Sequence, residues 1–141
     1  MGVLLTTATA CAHTPGAQRG RGEWIGGEHA GLLACETTYG GETQTVVAHP
    51  ATDPYAVRAS HVDERFELKV VWVRSPADEA RIAIYTYYTG DAGPVLVHVL
   101  KYRPPYPVAE PHARHGFTGL QHVYEPRLAG ELQFWCGWKG P

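Results

Sequence analysis

The chain has 141 residues, 44% of them hydrophobic and 18% charged, with a net charge of −2 when the histidines are neutral. That length carries one domain with a real core. No basic run or stripe occurs, which excludes strong nucleic-acid binding because phosphate contacts need clustered Lys and Arg. No stretch of roughly 18 apolar residues occurs either, so no segment reads as a transmembrane helix.

Residues 1–31 open with MGVLLTTATACAH and then turn Gly-rich and polar. An apolar run followed by small residues at A-x-A spacing is the pattern of an export signal. Ala8-Thr9-Ala10 and Ala10-Cys11-Ala12 both offer a cleavage motif. Cys11 offers a third reading, a lipid anchor, although Ala8 stands where a lipoprotein signal prefers Leu. The run is short and lacks a positively charged start. The expectation is an export-signal-like segment and flexible linker over 1–31 and a folded domain over 32–141. The product would then be periplasmic, lipid-anchored or extracellular.

From Leu32 the pattern becomes that of strands. LLACETTY places Leu33, Cys35 and Thr37 on one face. Gly40-Gly41 breaks it, and TQTVVAH over 43–49 follows, so the pair predicts a hairpin. Pro50 and Pro54 open an irregular stretch that runs to about Glu64. RFELKVVWV over 65–73 alternates strictly in its first half and is apolar on both faces in its second. In SPADE, Ser75 with Asp78 three residues on, and Pro76 at the first position, predicts one capped helical turn. ARIAIYTYY over 80–88 is β-branched and aromatic, hence a strand. TGDAG is a turn, and PVLVHVLKY over 94–102 is another strand. A long Pro-rich loop fills 103–119. LQHVYE over 120–125 is a short strand, PRLAG a turn, and ELQFWCGW over 131–138 the last strand, with Leu132, Phe134, Cys136 and Trp138 on one face.

About seven strands at short spacing with no substantial helix predict an all-β fold, a single antiparallel β-sandwich of immunoglobulin-like kind. Cys35 on an early strand and Cys136 on the last form an even pair, which predicts a disulfide in an exported chain. Such a bond is compatible with neighbouring strands or with facing sheets.

Three features bear on function. The loop and the strand after it hold His112, His115 and His122, and imidazole suits copper or zinc while leaving a coordination position open. His98, between Val97 and Val99, reads as a satisfied core histidine. Tyr85 and Tyr87 share a face opposite Ile82 and Ile84. If the isoleucines face the core, these tyrosines, together with Tyr106 of the loop, form an outward surface for a protein or glycan partner. The more ordinary role of such tyrosines on an extended strand is to stabilise the sheet by cross-strand pairing. The nucleophile inventory is thin, with only Ser60 and Ser75 as serines. The acidic pairs Asp63/Glu64, Asp78/Glu79 and Glu125/Glu131 read as charged turns rather than catalytic carboxylates. The expected function is a non-catalytic binding or accessory protein of the cell envelope. It would contact its partner through loop 103–119 and the tyrosine face. The alternative is a periplasmic copper- or zinc-binding protein using the histidine cluster.

Overall fold

A computed structural model describes residues 32–107, 113–127 and 129–139. The export-signal-like segment, Cys11 and His112 lie outside them. The described chain is a β-sandwich of two four-stranded antiparallel sheets. Its strands are β1 (Leu32–Tyr39), β2 (Glu42–Ala48), β3 (Ser60–Val62), β4 (Phe66–Val73), β5 (Arg81–Gly90), β6 (Gly93–Tyr102), β7 (Gln121–Tyr124) and β8 (Glu131–Lys139). One sheet runs β2-β1-β8-β7 and the other is the meander β3-β4-β5-β6.

The period-two pattern decides which side of each strand is buried. Leu33, Cys35, Leu132, Phe134 and Cys136 of the first sheet meet Phe66, Leu68, Ile82 and Ile84 of the second, and all of these are fully buried. β4 is apolar on both faces because its outer side is covered too. Val71 and Val73 pack with Ala83, Tyr85 and Val57, the last of these from the strap 49–59. The β1–β2 hairpin turns at Gly40 and Gly41, with φ of 58° and 86°. Two successive left-handed residues match the strand twist, and glycine adopts them without a Cβ penalty.

Two local expectations need correction. Ser60–Val62 is an eighth strand inside the stretch expected to be irregular. Three residues are too few to show a period in sequence, and the strand exists because β4 offers an edge to pair with. The turn after Ser75 is a 3-10 turn over Ala77–Glu79 with Pro76, not Ser75, at its N-cap and no side-chain cap bond.

The disulfide joins neighbouring strands. Cys35 and Cys136 sit directly opposite one another on β1 and β8, with Cα atoms 4.0 Å apart. Their backbones point away from each other. The Cys136 N–H donates to Thr118 Oγ1 at 2.8 Å, and its C=O accepts from the Phe117 N–H at 3.1 Å. The pair is thus a non-hydrogen-bonded one, where the facing Cβ atoms approach most closely. The bond stitches the first described strand to the last, inside the core.

Candidate functional site

Loop 103–119 is tied down at both described ends, and both ends meet β8. On the near side, Tyr106 lies against Trp138, ring centroids 5.9 Å apart. On the far side, Phe117 stacks on Trp138 at 5.6 Å and an interplanar angle of 25°, and meets Tyr102 edge-on at 5.3 Å. Gly116 lets the chain pass over Cys136. Its φ is +56°, and a Cβ there would lie 2.1 Å from the Cys136 carbonyl oxygen. The two rings of the loop thus find cover against Trp138 at this end of the sandwich.

These contacts build an aromatic pocket of about 250 Å3, walled by Trp72, Trp138 and Tyr106 with Pro104 and Ala77 at its margin. Trp72 meets Trp138 edge-on at 5.1 Å and 64°, so the two indoles form a corner rather than a flat platform. The Arg74 guanidinium carbon lies 5.6 Å from the Trp72 ring centroid, close enough for a cation–π contact. Trp72 is only 5% exposed, and its indole N–H has no acceptor among the described residues. A buried donor left without a partner costs about 1–3 kcal/mol.

The sequence-predicted residues fall in different places. Tyr85 and Tyr87 do face away from Ile82 and Ile84, but Tyr85 is half-buried against the outer cluster of Val71, Val73 and Ala83. Tyr106 does not join them. It packs against the inner core cluster, at the end of the sandwich. The histidines are likewise separated in their contacts. His115 meets Trp135 edge-on at 6.2 Å. His122 Nδ1 is 2.7 Å from Glu131 Oε1. Hydrogen bonds from His122, Gln133 and Tyr124 hold the Glu131 carboxyl below its usual pKa. Among the described residues no three His, Cys, Asp or Glu side chains converge as metal ligands. His98 faces Phe134 edge-on at 5.8 Å, and burial pushes its pKa down. It is not a satisfied core histidine, for its Nδ1 has no partner among the described residues.

Glu125 does not sit in a solvated charged turn, for it is only 8% exposed. Tyr39 donates a short hydrogen bond to its Oε1, while Oε2 is buried without a partner among the described residues. That bond, then burial, then the carboxylate charge push the Tyr39 phenol up to about 12. Gly130 makes room, since a Cβ there would lie 2.2 Å from Glu125 Oε1. The sequence signal that could have pointed to this network is weak: a Tyr ending one strand and a Glu ending another, 86 residues apart.

No family model matches the chain, and neither do any curated protein or any solved structure. Among the described residues, no helix is long and apolar enough to cross a membrane.

Proposed function

We propose that the chain is an exported, non-catalytic binding module of the cell envelope that holds a protein partner in the aromatic pocket at the base of loop 103–119. The observation that carries this reading is the corner of Trp72, Trp138 and Tyr106 lining a small cavity. Aromatic-lined grooves that accept a proline or aliphatic side chain are a recurring mode of peptide recognition. A glycan is the less favoured partner, because stacking on sugars needs an exposed flat ring face and Trp72 is buried. The disulfide supports an oxidising compartment.

The test uses Ala77→Arg, because Ala77 is exposed on the 3-10 turn and its substitution fills the pocket margin without touching the core. Proline-rich peptides and soluble oligosaccharides are titrated against both proteins, with tryptophan fluorescence as the readout. Saturable peptide binding lost in Ala77→Arg supports the reading. Saturation by the oligosaccharides alone, or peptide binding indifferent to the substitution, refutes it.

A further inference from the structure

A second cavity, about 450 Å3, lies on the side of the sandwich where β2 and β3 form the edges of the two sheets. Its origin is a gap in strand pairing. β3 pairs with β4 only as far as Ser60 opposite Leu68. The next backbone bond on that edge runs from the Ala51 N–H to the Trp72 C=O, at 2.8 Å. Between these two points the strap bows outward. Backbone groups two residues apart on a strand point the same way. The N–H and C=O of Val70, midway between Leu68 and Trp72, therefore face the gap with no strand opposite them among the described residues. A peptide unit left open on a buried strand is a template for an added strand.

The rest of the cavity has two further properties. Its walls include the apolar Val46 from β2 and Val57 from the strap, beside the polar His49, Thr52 and Ser60. Its mouth carries Arg58, which is exposed and has no ion-pair partner among the described residues. Asp53 also lines the cavity, but its Oδ1 accepts from the Tyr55 N–H at 2.8 Å and so caps the strap's own turn. The volume falls within the range of small-ligand sites.

We propose that this gap binds a short extended peptide ending in a free carboxylate. Its amide would pair with the Val70 backbone, its apolar side chain would pack between Val46 and Val57, and its carboxylate would meet Arg58. Strand addition supplies the affinity in this mode, and the charge at the mouth selects a chain end over an internal segment. The site is separate from the aromatic pocket and does not depend on it.

The probe is N-acetyl-leucyl-valine, titrated calorimetrically into the full chain alongside its C-terminal amide and octanoate. Wild type binds the acid saturably and the amide about tenfold more weakly, as expected for loss of one charge-assisted contact. Arg58→Gln weakens the acid by the same factor and leaves the amide unchanged, because the two changes remove one interaction. Ala56→Trp, at an exposed lining position, abolishes binding, whereas Ala77→Arg leaves it intact. Absence of saturable binding overturns the proposal, as does acid affinity indifferent to Arg58→Gln and Ala56→Trp. Octanoate binding as tightly as the dipeptide acid also overturns it, since no amide would then be read.

Discussion

Gly116 crosses over Cys136 so closely that a β-carbon would sit 2.1 Å from the Cys136 carbonyl oxygen and 2.8 Å from the Gly137 Cα. The neighbouring atoms are backbone, on the strand that carries half of the disulfide, and they cannot move aside as a side-chain tip would.

Gly116→Ala is therefore expected to destabilise by about 2–4 kcal/mol, the sum of an overpacked contact and a left-handed backbone strained by Cβ. Urea unfolding checks it. A loss under about 1 kcal/mol would mean that the loop can lift off β8 at little cost.

The disulfide predicts a second, larger effect. Cys35 and Cys136 are 101 residues apart in sequence. Closing a loop of that size stabilises by about 4–5 kcal/mol in the chain-entropy model. Thermal unfolding of the Cys35→Ala/Cys136→Ala variant should show this loss, increased somewhat because alanine leaves a small cavity between β1 and β8. Adding reductant should lower the melting temperature of the native protein and leave that of the variant unchanged.

Tyr39→Phe removes the donor to Glu125 Oε1 in a carboxylate whose other oxygen lacks a partner among the described residues. Hydrogen bonds to charged groups contribute about 1.5–3 kcal/mol, and the loss should fall there. The phenol itself has a folded-state pKa raised from 10.0 to about 12. A raised folded pKa means stability that is fully present below pH 10 and lost as pH climbs toward 12. Spectroscopic titration of the tyrosines should show Tyr39 among the late-ionising groups, and Tyr39→Phe should remove its share of the late step.

His98 governs the acid side. Burial lowers its folded-state pKa below 6.5, so the unfolded chain takes up a proton that the folded chain resists. Stability should be undiminished above pH 6.5 and fall as pH drops through the folded pKa. His98→Leu should flatten that part of the profile, measured as the urea midpoint against pH. Glu131 acts in the same direction at lower pH. Its carboxyl pKa is depressed mainly by the hydrogen bond with His122, so its contribution is lost as that carboxyl protonates.

The strands of this fold were legible wherever side chains alternate over several positions. Leu132, Phe134, Cys136 and Trp138 alternate along β8, and β1 alternates as Leu33, Cys35 and Thr37. A side-chain period of two can bury only one set. β3 was illegible because three residues contain no period. The Tyr39–Glu125 network was illegible because polar residues at strand ends look solvated until a distant segment covers them.

Composition, alternation and the paired cysteines determined by themselves that this is an antiparallel β-sandwich with a cross-link between its early and late strands. These are properties of local pattern, and hydrophobic burial reads local pattern directly. The tertiary structure alone decided that the cysteines face each other across one sheet and that Tyr106 leaves Tyr85 and Tyr87 to join Trp138. It also decided that Glu125 is buried and that the short β3 leaves Val70 open. Each of those depends on which strand lies beside which, and on where pairing stops, and no local period encodes either.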